Sequence, residues 1–316
     1  MIEYDLKFFF SGNMGRAGEE EEQLAQKIEC RLCSCHDAYV RDAIRWMGIA
    51  SRPDTNITKM MLDSGAFTAW SKGKKVEVDE LIGTYNDVLS LADLDKVTVY
   101  LISLDVIPGS PGVTAGPAEI EEAIRQSDIN FNILVKEFGD RVIPVYHQNE
   151  TEARLHEVAS MADYICASPR NDLPEWTRVR WAEEVHSKLP PGKRTHGLAT
   201  TGIQMTRRVP WWSVDSAAWL YSGAMGKIDC WDGKRWVSIN ISQESPSIKV
   251  RDQHYDTSPQ YIKDIVDARA AYHGITIDQL RTDHMKRKLL NGLEIATWLS
   301  QFNRQPVPKQ DGLFAL

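Results

Sequence analysis

The chain has 316 residues, 42% hydrophobic and 26% charged, an ordinary balance for a globular protein with a large buried core. It has no apolar run of the roughly 18 residues that a membrane-spanning helix needs. Residues 1–12 also set Glu3, Asp5 and Lys7 where a signal peptide has its cationic start and apolar centre, so the expected location is the cytoplasm. The formal charge of −7 excludes a protein that is basic throughout, but the charge is uneven: residues 246–316 carry ten Lys/Arg against eight Asp/Glu.

Taken in order, the sequence alternates short apolar runs with helical patterns. Strands are expected over 6–10, 30–35, 59–62, 97–104, 142–146, 164–167, 195–198 and 212–216. Helices are expected between them, over 18–29, 37–47, 78–92, 117–138, 151–161 and 176–189. About eight strands separated by helices imply a parallel sheet, and the number favours a closed (β/α)8 barrel over an open sheet. The expected organisation is a barrel over 1–222, a hairpin-like insert over 223–245, a helical extension over 246–305 and a loose tail over 306–316. Within the extension, helices are expected over 259–273 and 277–302. Neither GxGxxG nor GxxxxGK[ST] occurs, which disfavours a dinucleotide or P-loop enzyme.

Five cysteines, an odd number, argue against a disulfide framework. Cys30, Cys33 and Cys35 invite a zinc reading, but strand alternation would put Cys30 and Cys33 on opposite faces. Buried thiols in a core strand are the expectation, with no cofactor.

The organising stretch is Thr58 to Trp70, where the run Lys59–Leu62 ends abruptly in Asp63, Ser64 and Gly65. A carboxylate at the end of an apolar strand, followed by Gly, is how an α/β barrel presents catalytic groups. A second Asp-Ser pair, Asp215-Ser216, ends the last strand. Asp105, His147, Gln148, Ser168, His196 and Gly197 stand at the other strand ends and would face the same mouth. Basic clusters at Lys72, Lys74 and Lys75, at Arg207 and Arg208, at Lys234 and Arg235, and at Lys286, Arg287 and Lys288 are candidates for a phosphate-binding rim.

These residues resemble a known family. Leu62-Asp-Ser-Gly-Ala-Phe67 is similar to the Asp-Ser-Gly-Gly-Phe motif of the tRNA-guanine transglycosylases, which are modified (β/α)8 barrels. Val214-Asp215-Ser216 resembles the segment that carries their nucleophile. The resemblance implies Asp215 as nucleophile and Asp63 as general acid/base. It also implies base contacts from Asp105, Ser64, Gly65, Phe67, His147, Gln148, Ser168, His196 and Gly197. Departures are informative: Ala66 replaces the second glycine, Leu220-Tyr-Ser-Gly-Ala-Met-Gly226 stands in place of a Pro-Thr-Arg run, and no cysteine follows Cys230 to form the family's zinc site. The chain therefore looks more like the phage-type relatives that insert 7-deazaguanines such as preQ0 into DNA. The expected partners are DNA and a free 7-deazaguanine base, in a host cytoplasm if the chain is phage-encoded.

The chemistry fits on its own terms. Base exchange with retention at the sugar needs two displacements by a carboxylate nucleophile, plus a second acid that protonates the leaving base. The base must first leave its stack, and Trp70, Trp211 and Trp212 are candidates to receive it. The alternatives are the same exchange on tRNA, a catalytically idle nucleic-acid-binding partner, and a barrel glycoside hydrolase. The oligomeric state stays open.

Overall fold

The computed structural model describes residues 5–15, 18–110, 113, 115–200 and 202–303; the tail expected over 306–316 lies outside them. The chain divides into two compact units, Phe8–Tyr221 and Ser222–Leu316 with Met1–Lys7.

The first unit is an α/β barrel. Its strands are β1 (Lys7–Phe10), β2 (Cys30–Ser34), β3 (Lys59–Asp63), β4 (Thr98–Ile102), β5 (Val142–Ile143), β6 (Val145–His147), β7 (Tyr164–Ser168), β8 (Arg194–Gly197) and β9 (Ser213–Ser216). They run in the order β5-β4-β3-β2-β1-β9-β8-β7-β6, so the two ends of the sheet are consecutive in the chain. The single strand expected over 142–146 is split because Pro144 has no N–H to give to a ladder. Its first half pairs with β4 and its second with β7, and Cys166 N donates to the Pro144 carbonyl across the join. Nine segments therefore do the work of eight strands.

Strand parity decides what fills the interior. Phe9, Leu32, Met61, Ile102, Ile143, Val145, Tyr164 and Cys166 form one buried cluster, with Tyr100 and Trp212 packed against it. Side chains two apart in a strand share a face. Asp63 therefore follows Met61, His147 follows Val145, and Ser168 follows Cys166 to the same inner side, one step nearer the strand C-termini. Tyr146 and Ile165, of the opposite parity, pack outward against Leu155, Val158 and Val185 of the surrounding helices.

Three short helices escaped the sequence reading: Ala66–Ser71, Ile203–Arg208 and Ala218–Ala224. At six or seven residues each, they are too short for a 3.6-residue period to show.

In the second unit, β10 (Lys227–Trp231) and β11 (Trp236–Asn240) form an antiparallel hairpin with Trp231 opposite Trp236, as expected from the sequence. The helix expected over 277–302 is two helices, Ile277–Thr282 and His284–Phe302. Asp283 separates them in an extended conformation, and its carboxylate accepts from Met285 N at 2.7 Å as an N-cap. The hairpin is fastened to these helices through Glu294, whose fully buried carboxylate accepts from Trp231 N, Arg269 and His273. Among the described residues, no helix is long and apolar enough to cross a membrane.

Candidate active site

Three carboxylates share the barrel mouth, and the charges of two of them act on the third. Asp63 ends β3, Asp105 follows β4, and Asp215 lies in β9. The Asp63 carboxyl is pushed up to about 6, first by burial, then by the charge of Asp105 and, more weakly, of Asp215. The Gly65 N–H, at 3.1 Å from Asp63 Oδ2, and the Ser34 hydroxyl pull the other way without prevailing. Ser34 is Asp63's register partner on β2, which explains its reach.

The turn after Asp63 has one feasible shape. Gly65 has φ +79°, and a Cβ there would come within 2.8 Å of His36 Cβ and 2.9 Å of His36 N. The glycine thus serves both the left-handed backbone and the close approach of the loop after β2. Ser64 is buried, and its hydroxyl accepts from Ala66 N at 3.4 Å, so it shapes the turn. Phe67 is 61% exposed and lies 5.9 Å from the Trp70 ring, which is itself held by a bond from its Nε1 to the Gly109 carbonyl.

Asp105 is fixed by His147, whose Nε2 lies 2.9 Å from Asp105 Oδ2, with both side chains under 20% exposed. Burial alone would lower the His147 pKa, but the bond to Asp105, its charge and that of Glu150 raise it instead. Glu150 also accepts from His147 N at 2.8 Å. Gln148 is turned to structural use: its Oε1 accepts from Arg170 N at 2.8 Å, and its N donates to the Ser168 carbonyl. Ser168 is half-buried opposite His147 in the register.

Asp215 is gripped on one oxygen. Ala199 N donates to Oδ1 at 2.8 Å, and Ala199 holds φ +52°, a left-handed conformation unusual for a residue with a side chain. His196 Nε2 lies 3.3 Å from the same oxygen. Gly197 has a packing role, since a Cβ there would overlap Thr200 Oγ1 and approach Trp211 at 3.1 Å.

Several expected contacts move. Trp211 is buried edge-on against His186 at 4.6 Å, and Trp212 packs against Tyr100 and Tyr164, so Trp211 cannot receive a base. Lys72, Lys74 and Lys75 are exposed just past the helix that carries Phe67. Arg207 is exposed, while Arg208 is engaged by Glu183 at 2.8 Å. Arg287 and Lys288 were expected to face a polymer, and that is corrected. Both are buried in the C-terminal unit, where Arg287 donates to the Gly223 and Leu280 carbonyls; Lys286 is half-buried beside them.

The three crowded cysteines are all buried. Cys30 belongs to the interior cluster, while Cys33 lies on the side of Arg31 and Asp42, with its thiol pushed up to about 12 chiefly by burial. Among the described residues, no three His, Cys, Asp or Glu side chains converge as metal ligands would.

Sequence reasoning missed Ser34, Glu150, Ala199, Tyr164 and Ser213 as parts of the site. Ser213 could have been found, since it stands two residues before Asp215 on the same strand face. Ala199 could not, because its contribution is a backbone N–H. Neither protein-family models nor curated proteins yield a match to this chain, so the family resemblance rests on the motifs around Asp63 and Asp215.

Proposed function

We propose that the chain is a pentosyltransferase that exchanges guanine in DNA for a 7-deazaguanine base through a covalent glycosyl-enzyme intermediate on Asp215. The observation that carries this is the mouth itself, where burial and the charges of Asp105 and Asp215 make Asp63 hold its proton to about pH 6. Pairs of carboxylates whose surroundings push them apart are how acid and nucleophile are told apart.

In the first step Asp215 Oδ2 attacks C1′ of the sugar while the C1′–N9 bond breaks. The bonding electrons leave with guanine, and the proton of Asp63 goes to the departing base. In the second step the incoming base attacks C1′, the ester oxygen leaves as the Asp215 carboxylate, and the base gives its surplus proton back to Asp63. Asp105, immobilised by His147, supplies acceptors for the N–H groups of guanine's Watson–Crick edge. Phe67, exposed on the short helix that follows Asp63, offers a face on which the extruded base can stack. The choice of DNA over tRNA is supported by Leu220-Tyr-Ser-Gly-Ala-Met-Gly226, which stands where tRNA-acting enzymes have Pro-Thr-Arg.

Labelled guanine offered with duplex DNA, single-stranded DNA and tRNA tests this. Label should enter DNA and be displaced by a free 7-deazaguanine. Label entering only a tRNA anticodon loop would move the reaction to tRNA. Release of guanine with no second base required would make the chain a hydrolase.

A further inference from the structure

Behind Asp215 lies a chain of buried polar groups formed by Tyr164, Ser213 and His196. Tyr164 Oη and Ser213 Oγ are 2.5 Å apart, and Ser213 Oγ is 2.6 Å from His196 Nδ1. His196 is fully buried, clasped edge-on by Phe9 and Tyr164. Its Nε2 faces Asp215 Oδ1 at 3.3 Å, out of line for a hydrogen bond, and has no other partner among the described residues.

Counting protons leaves one arrangement in which both hydroxyl hydrogens are used and a donor faces the carboxylate. Burial holds Tyr164 well above its ordinary pKa, so its hydroxyl keeps its hydrogen, and Ser213 Oγ is its hydrogen-bond partner. Ser213 must then accept from Tyr164 and give its own hydrogen to His196 Nδ1. That leaves the hydrogen of a neutral imidazole on Nε2, directed at Asp215. The reverse order strands the Tyr164 hydrogen in the core and sets a bare nitrogen lone pair against a carboxylate oxygen. Both are costly when buried.

We infer that Tyr164, Ser213 and His196 form a proton-ordered relay that presents a neutral His196 Nε2–H to Asp215 Oδ1, making His196 a positioning residue for the nucleophile rather than a contact to the base. This rests on Asp215 being the nucleophile. With the Ala199 N–H bonded to Oδ1 and the His196 Nε2–H facing the same oxygen, Oδ2 is the oxygen free to attack. Once the ester forms, Oδ1 is its carbonyl oxygen. Donors aimed at Oδ1 favour the returning carboxylate over the ester and so speed discharge to the incoming base. The 3.3 Å separation is of the kind that closes when substrate seats.

Histidine-selective 15N NMR of the full chain reads the tautomer directly, with the His196 signals identified by their loss in His196→Gln. The expected pattern is a protonated Nε2 and a bare Nδ1. A protonated Nδ1, or both nitrogens protonated, would overturn the relay. The second readout is adduct discharge by a free base. His196→Phe should slow it about 10- to 100-fold, the worth of a hydrogen bond to a charged oxygen, and let the adduct accumulate. His196→Gln, whose amide can replace the Nε2 donor, should recover most of the rate. Normal discharge in His196→Phe would refute the positioning role. If His196→Phe does not fold, the tautomer of the unaltered protein decides. The expected tautomer without any adduct on DNA or tRNA would leave the relay standing and reject the transglycosylase reading instead.

Discussion

Asp63 is costly to the fold at neutral pH for the same reason that suits it to the proposed chemistry. Its carboxyl moves from an ordinary 3.8 to about 6, so the folded state binds more protons than the unfolded one between those values. Stability therefore falls as pH rises from about 4 to about 6, and stays lowered above that. With one pKa unit worth about 1.4 kcal/mol, and some discount for solvent access at the mouth, the cost at pH 7 is about 2 kcal/mol. Asp63→Asn should be more stable than the unaltered protein at pH 7 by about that amount, and the gain should vanish near pH 4. Urea unfolding of both proteins at the two pH values checks the sign. A variant less stable at pH 7 would mean that hydrogen bonds from Ser34 and Gly65, not burial, dominate.

At the scale of elements, the turn from β3 into the Ala66–Ser71 helix is the tightest constraint near the site. Gly65→Ala meets both a φ of +79° and the backbone of His36. Left-handed strain costs about 1–3 kcal/mol before the clash is counted, so thermal unfolding should fall by several degrees and exchange should fall with it. An unchanged midpoint would show that the loop at His36 gives way freely. In the C-terminal unit, the hairpin depends on Glu294. Glu294→Ala leaves Arg269 and the Trp231 N–H without their acceptor, and breaking a buried pair of this kind costs about 3–5 kcal/mol. A loss under about 1 kcal/mol in chemical denaturation would argue that water replaces the carboxylate.

These two elements show how far sequence could reach. The apolar runs before Asp63 and Asp215 foretold that both carboxylates stand at the C-terminal ends of strands, because a strand and its end are local properties of the sequence. The helix Pro117–Phe138 was equally legible, and it has a proline at its first position. What stayed hidden has two kinds of cause. Pro144 splitting a strand and Asp283 capping a new helix are local effects masked by the apolar and helical patterns around them, whereas the burial of Arg287 depends on the Gly223 carbonyl far along the chain.

For the whole molecule, the proposed function requires an acidic chain to bind a polyanion with a local cationic surface. Lys72, Lys74 and Lys75 are exposed next to the helix that bears Phe67 and are the strongest choice for that surface. Replacing all three with Ala should weaken DNA binding and flatten its dependence on salt. The logarithmic slope should shrink by about 0.7–0.9 for each phosphate that the lysines no longer neutralise. Fluorescence anisotropy across a salt series gives that slope directly. An unchanged slope would move the phosphate track elsewhere, with Arg207 the next cation to test.

The most direct measurement is a denaturing gel of the unaltered chain, Asp63→Asn and Asp215→Asn, each incubated with DNA and a competing base. A denaturant-stable protein–DNA adduct should form with the unaltered chain. It should form with Asp63→Asn about 10²- to 10⁴-fold more slowly, because the nucleophile remains and only leaving-group protonation is lost. It should never form with Asp215→Asn, although that variant should still bind DNA. An adduct that persists in Asp215→Asn and vanishes in Asp63→Asn would reverse the two roles, and no adduct with any polymer would contradict the covalent mechanism itself.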